Sequence, residues 1–301
     1  MQAHADGHAL TVVANGTEVL RYVFAPDTPQ IESPKPYAHP VRTLAGHVVT
    51  AFRPWDHVWH TGLAWALPIV ENENFWGGGT YVRGQGYVDL PNNGAQRHVG
   101  VSDLASTGGG VRFAHDLAWI TQSGETMFTE MRTVTARLLD EDAWALTFSH
   151  AMTNVTDRAI PLGSPTTRGR ANAGYGGLFW RGPRSFAGGT IVTPGGVGTG
   201  DDVRGSRQEW AAFEGRHDGV DATSLILMKD TGAAPARPVE WFARTEEFAA
   251  LCPAPFFHAE QTVAPAETAA FQYAVAIVDG DRDAAPRIAA ALESLAPLPA
   301  I

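Results

Sequence analysis

Residues 127–139 and 143–156 read MFTEMRTVTARLL and AWALTFSHAMTNVT, two β-rich runs separated by the polar turn Asp140-Glu141-Asp142. Along the second run Trp144, Leu146, Phe148, His150 and Met152 fall at every second position. As a strand this segment therefore places all five on one face. The same design opens the chain. ALTVVANGTEVLRYVF (9–24) alternates, turns at Asn15-Gly16 and alternates again, and Asn-Gly between apolar runs is a strong hairpin signal. TSLILMK (223–229) and AAFQYAVAIVDG (269–280) read as buried strands.

One segment carries a helical signature. RDAAPRIAAALESLA (282–296) spaces Ile288, Leu292 and Leu295 at i, i+4 and i+7, with Pro286 in the first turn. The 32 glycines and 20 prolines are spread along the chain and punctuate short strands rather than marking a linker. The expectation is a single all-β domain over residues 1–301, a large antiparallel β-sandwich with one C-terminal α-helix as a cap. Long connections are expected at 25–45, 53–62, 71–110 and 163–185, and connections of that length in a compact domain are usually functional.

Composition narrows the partners. The chain has 32 Asp and Glu against 22 Lys and Arg, a formal charge of −10, and no basic run, so phosphate backbones and anionic membranes repel it. Apolar runs such as LAWALPIV (63–70) are far shorter than the ~20 residues that a membrane helix needs. MQAHADGHALTVVANG at the N-terminus has neither a basic nor an apolar signal region, and the expected location is cytoplasmic. Cys252 is the one cysteine, so no intrachain disulfide forms, and beside Pro253 it reads as a small buried hydrophobe. There is no GxSxG, P-loop or HExxH, and no GxGxxG between a strand and a helix, so no nucleotide cofactor is expected. A small-molecule partner is expected; self-association stays open.

Chemistry concentrates in the long connections. RPWDHVWHTG (53–62) sets His57 and His60 three apart, next to Asp56 and between Trp55 and Trp59. On a turn both imidazoles lie on one side, near enough to share one divalent metal; on a strand they point apart. Pro54 favours the turn. A metal needs a third ligand, from His39, Glu71, Glu73 or His150. An acid/base role uses the neutral-pH titration of histidine with Asp56 as orienter and Glu71, Glu73 or Glu240 as partner carboxylate. In the structural alternative the imidazoles are hydrogen-bonded groups packed on Trp55 and Trp59. His150, on its apolar strand face, reads either as a core histidine or as a pocket residue.

KPYAHPVRT (35–43) offers Lys35, Tyr37, His39 and Arg42 on a proline-stiffened loop. NFWGGGTYV (74–82) and ANAGYGGLFWRGP (171–183) combine glycine with aromatics. Their Trp76, Tyr81, Tyr175 and Trp180 suit stacking on a sugar ring, and Gly77–Gly79 suits close backbone approach to a ligand. Arg170 and Arg181 flank the second stretch as donors, with Arg168 nearby.

SPKPYAHPVRTLAGHVVT (33–50), RPWDHVWHTGL (53–63), NFWGGGTYV (74–82) and SPTTRGRANAGYGGLFWRGP (164–183) together resemble the bacterial PmoA-like family, labelled "methane oxygenase PmoA", over about residues 10–280. The sequence departs from it at 229–244, where KDTGAAPARPVEWFAR lacks the histidine that the family tends to carry before its Trp-Phe-x-Arg. The label names a subunit of an integral membrane oxygenase, which a chain without a spanning segment does not match, so the name is set aside as chemistry. HAMTNVTDRAIPLG (150–163) is similar to a stretch of sugar mutarotase-like sandwiches. That resemblance implies a two-sheet supersandwich with a histidine and a carboxylate opening a sugar ring.

Three functions follow as expectations. The first is an isomerase or lyase that transfers protons on a sugar or oxidised sugar, with His57, His60, His150 and Glu73 in catalysis. Lys35, Tyr37, His39, Arg42, Trp76, Arg170, Tyr175, Trp180 and Arg181 would bind substrate. The second is a carbohydrate-binding protein without turnover. The third is a metal-dependent oxygenase using His57, His60 and His39.

Overall fold

In the computed structural model, which describes residues 1–107, 109–232 and 239–295, the hairpin 126–154 lies near the middle of a nine-stranded antiparallel sheet. Thr126–Leu138 pairs with Ala143–Asn154 from Phe128↔Asn154 to Leu138↔Trp144. Ala143–Asn154 pairs in turn with Thr268–Asp279, and that strand with Thr223–Asp230. A second nine-stranded sheet starts from the N-terminal hairpin. Ala9–Ala14 and Thr17–Val23 are joined at Asn15 (φ 51°) and Gly16 (φ 82°), the doubly left-handed turn that Asn-Gly accommodates. Tyr37–Val41, Leu63–Ala66, Gly177–Arg181, Ala250–Pro253 and Val239–Arg244 extend it. The expected all-β antiparallel sandwich is the observed architecture.

The five alternating residues Trp144 to Met152 all face the other sheet and are buried. Trp144, Leu146, Phe148 and Met152 join one apolar cluster running from Leu10 to Ile277, with contributions from both sheets. Trp180 meets Phe213 at 5.1 Å between ring centres, and Trp65 meets Tyr273 at 5.8 Å. Five of the nine tryptophans (65, 119, 144, 180 and 241) are fully buried, so most of the indole inventory builds the core. The helix forms as Ala285–Glu293 behind a 3₁₀ turn Arg282–Ala284. Its Ile288 and Leu292 pack on the outer face of the sheet against Ala143, Ala145, Leu225 and Ala276. Residue 296, at the expected helix end, lies outside the described residues, as does 233–238 within the stretch that departs from the PmoA-like pattern. Among the described residues no helix is long and apolar enough to cross a membrane.

Three of the expected connections conceal strands. Within 71–110, Ala95–Thr107 forms a 13-residue edge strand. Its pattern is inverted, since Gln96 is buried while Val99 and Val101 are exposed. An edge position next to a buried polar network explains this. Gln96 Oε1 accepts from Arg132 Nη2 at 2.7 Å, and Arg132 and His150 both bond Glu130 Oε1 at 2.7 Å. Trp119 Nε1 donates to Glu130 Oε2 at 2.7 Å. Tyr37–Val41 and Gly177–Arg181 likewise lie within 25–45 and 163–185.

Burial by itself would raise the Glu130 carboxyl, but Arg132 and the His150 hydrogen bond outweigh it and hold Glu130 ionised, well below the usual carboxylate range. Removing one partner strands a buried charge. Arg132→Met is expected to destabilise the fold by about 3–5 kcal/mol, whereas Glu130→Gln combined with Arg132→Met recovers much of that loss. Urea denaturation of the two variants measures both.

Candidate active site

Period two decides what the second sheet shows to solvent. Along Gly177–Arg181, Leu178 and Trp180 enter the core while Phe179 and Arg181 emerge on the outer face. Along Val239–Arg244, Trp241 and Ala243 go in while Phe242 and Arg244 come out. Onto this outer face fold the connections 53–62, 74–79 and 170–175, together with residues 247–248, leaving a cleft of about 450 Å³. Trp76, Phe179 and Phe242 form its apolar lining, with Tyr175 at 4.6 Å from Trp76 between ring centres.

The segment 53–62 is a pair of consecutive turns, with His57 N donating to Pro54 O at 3.0 Å and His60 N to His57 O at 2.9 Å. These turns put both imidazoles on one side, parallel at 6° and 4.7 Å apart, and both line the cleft. Arg53 anchors the segment's start through a two-toothed ion pair with buried Glu32, at 2.6 and 3.0 Å. Arg181 anchors its end, donating to His60 Nδ1 at 2.9 Å and to Asp56 Oδ2 at 2.7 Å.

These bonds determine both tautomers. A guanidinium has no acceptor, so His60 Nδ1 accepts and its proton sits on Nε2. Burial, then His57, Arg181 and Lys35, lower the His60 pKa well below 6.5, so the ring stays neutral. Asp56 Oδ2 lies 2.8 Å from His57 Nδ1. Desolvation pushes the Asp56 carboxyl up, but the bonds from His57 and Arg181 outweigh it and bring it down to about 2. Asp56 is therefore an ionised acceptor and His57 Nδ1 is the donor, so the neutral tautomer of His57 carries its lone pair on Nε2. The cleft thus carries an imidazole oriented by a carboxylate beside a neutral N–H donor backed by a cation.

Of the residues expected from sequence, His57, His60, Trp76, Arg170 and Tyr175 meet in this cleft, with Arg181 directly behind. Lys35 lies beneath the lining, where its ammonium donates to the carbonyls of Glu32 (3.0 Å), Ser33 (3.2 Å), Trp59 (3.4 Å) and Trp76 (2.8 Å). Burial draws its pKa down to about 7. It ties two aromatic cleft residues together rather than reaching a ligand.

The other residues are placed elsewhere. Trp180 enters the core, where Nε1 donates to Val49 O at 2.8 Å. His150 lies between the sheets, stacked on Trp65 at 4.5 Å and bonded to Glu130. His39 bonds Thr50 Oγ1 at 2.9 Å and stacks on Phe52, Tyr37 packs on the same Phe52, and Arg42 reaches Gly46 O at 3.4 Å. Glu73 is half-buried, raised in pKa by burial, and near Glu71, Glu125 and Arg158. Tyr81 packs on Tyr87. Gly77 and Gly78 do permit close approach, but of Trp59: a Cβ on either would fall 2.5–2.7 Å from that side chain. Of the three metal candidates, His57 and His60 come together and His39 does not line the cleft. Among the described residues no group of three or more His, Cys, Asp or Glu is arranged to hold a metal ion. Cys252 is buried as expected, its thiol pushed up to about 12.

Sequence reasoning missed Phe242, Arg244, Glu247, Phe248 and Tyr87. The alternation in Val239–Arg244 is the signal for the first two; Glu247 and Phe248 follow its end without a pattern. Arg244 Nη1 donates to Glu247 Oε2 at 3.1 Å, and Arg181 lies 3.8 Å over the Phe248 ring.

The sequence matches a family of unknown function (DUF6807) over residues 9–293. The chain belongs to that family. No curated protein matches it. Among solved structures it is similar to the alpha-galactosidase from Lactobacillus brevis, at 11% identity and a TM-score of 0.40, over 93% of this chain and 39% of that one. The chain thus spans well under half of that protein's length.

Asp56 is depressed in the fold, so its contribution is fully present above its unfolded pKa near 3.8 and is lost as pH falls through about 2. Asp56→Asn is expected to cost on the order of 2 kcal/mol at pH 7. The gap from the unsubstituted protein should close as pH approaches 2, as read by thermal unfolding across pH.

Proposed function

We propose that the cleft is the active site of a proton-transferring enzyme acting on a sugar or oxidised sugar, an isomerase, epimerase or lyase. The observation that carries this reading is two parallel imidazoles with opposite Nδ1 roles: His57 Nδ1 donates to Asp56 and His60 Nδ1 accepts from Arg181, so neutral His57 offers a lone pair at Nε2 where His60 offers a proton. Such a pair suits removal of a proton from a carbon next to a carbonyl. His57 Nε2 takes the proton, the C–H electrons move into the carbon–carbon bond, and the carbonyl π pair moves onto oxygen. His60 Nε2–H donates a hydrogen bond to that developing oxyanion, and the guanidinium on its Nδ1 makes the N–H a stronger donor. Return of the proton to the other face of the same carbon gives epimerisation; its delivery to the former carbonyl carbon, with the hydroxyl proton passed between the two oxygens, gives isomerisation; departure of a β-hydroxyl as water, protonated by the His57 imidazolium, gives elimination.

The substrate class is supported by the lining. Trp76, Phe179 and Phe242 offer flat apolar surface for a pyranose face, edged by the polar groups of Arg170, Tyr175 and Glu247. A volume of about 450 Å³ accommodates a mono- or disaccharide. The same lining would also serve a binding protein without turnover.

The test is solvent deuterium exchange into a panel of aldoses, ketoses, keto-sugars and sugar acids, followed by mass spectrometry. We expect exchange at one carbon, falling by about 10²-fold or more in His57→Ala and in His60→Gln. Exchange that persists unchanged in a His57→Ala, His60→Ala double variant overturns the assignment. Saturable sugar binding with no exchange at any carbon replaces it with the binding-protein reading.

A further inference from the structure

The guanidinium groups of Arg170 and Arg244 have no role in the proton transfer. Arg170 and Arg244 both line the cleft, from the 163–176 connection and from the end of Val239–Arg244. Arg170 donates to the Tyr87 hydroxyl and lies 4.8 Å over the Tyr87 ring. Tyr87 and Tyr175 share a hydroxyl hydrogen bond of 2.8 Å. Both arginines act electrostatically on the Tyr175 hydroxyl, and Arg170 also on Arg244, so the four groups form one cluster.

The charge of this cluster is unbalanced. In a chain of net −10, Arg170 has no acidic partner among the described residues, although it stands beside a second guanidinium. Arg244 has Glu247, whose side chain is 73% exposed. Two cations against one rim carboxylate leave a net charge of +1 over an apolar lining. Like charges brought together in a partly desolvated cleft are unfavourable unless an anion joins them.

We infer that the ligand carries a carboxylate, bound by Arg170 and Arg244 with the Tyr87 and Tyr175 hydroxyls, and that the substrate class is uronates and other sugar acids that keep a second carbonyl carbon besides the carboxylate. Guanidinium groups match a carboxylate in geometry and give charge-assisted bonds to it. The surplus of one positive charge fits a carboxylate monoanion rather than a phosphate dianion. This rests on the reading of the cleft as a carbohydrate site, and it names the part of the ligand that does not react. A carboxylate held at the rim leaves the sugar ring over Trp76 and Phe179, toward His57 and His60, which both line the same cleft.

The experiment is calorimetric titration of the full chain with D-glucuronate, D-galacturonate, D-gluconate and D-galactonate. D-Glucose, D-galactose and glucose 6-phosphate are the comparison ligands. We expect at least one acid to bind about tenfold or more tighter than its neutral counterpart, and more weakly as salt rises. Arg170→Gln should remove that preference, weakening the acid by about tenfold or more and the neutral sugar far less, and Arg244→Gln serves as a second, independent variant. Equal binding of neutral sugars, preference for the phosphate, a preference intact in both variants, or no binding by any acid overturns the inference. Binding and turnover separate here: acid preference without deuterium exchange defeats the proposed reaction alone, and exchange on neutral sugars without acid preference defeats the carboxylate alone.

Discussion

Arg181 donates to two acceptors at once, His60 Nδ1 and the Asp56 carboxylate, and the site depends on that fork. The guanidinium reaches them because it emerges from Gly177–Arg181 on the face opposite Trp180, whose indole is locked into the core by Val49. A rigid strand thereby holds a connection that has no regular structure of its own. The first of these bonds assigns the tautomer of His60, and the second holds the Asp56 carboxylate that His57 Nδ1 meets. Losing the fork would leave His60 Nδ1 and the Asp56 carboxylate without their shared donor.

Beneath this lies a division of labour between two polar clusters. Glu130, Arg132 and His150 sit between the sheets with their charges compensated, and they join strands that an apolar core alone would leave free to slip. On the outer face Lys35 organises backbone carbonyls, including those of Trp59 and Trp76, and so shapes the aromatic lining from below. The first cluster is sealed from solvent, while the cleft is open to a ligand. Histidine appears in both, and its role follows from which side of a sheet it faces.

Much of the architecture was legible in the chain. The alternation at 144–152, the Asn15-Gly16 turn and the Ile288–Leu292 spacing each specify an element locally, and each is present. Ala95–Thr107 was not legible, because an edge strand beside a buried polar network carries inward glutamine and outward valine, the reverse of the usual pattern. Gly177–Arg181 was hidden by its glycines, which made a central strand look like part of a loop; taken as a strand, it separates Trp180 from Arg181 at once. The 35–43 stretch pointed to a binding loop, yet Tyr37 and His39 turn to Phe52 and Thr50 rather than to the cleft.

The sequence by itself determined the all-β class, the main hairpins, the helical cap and the turn that places His57 and His60 side by side, since each rests on contacts between residues close in the chain. Which chemical groups meet was decided by tertiary structure alone. Arg181 lies 125 positions from Asp56, and Arg244 comes from the end of a strand while Tyr87 comes from the 71–110 stretch. Their convergence on one outer face is a product of sheet order and strand phase, and no local pattern in the chain records it.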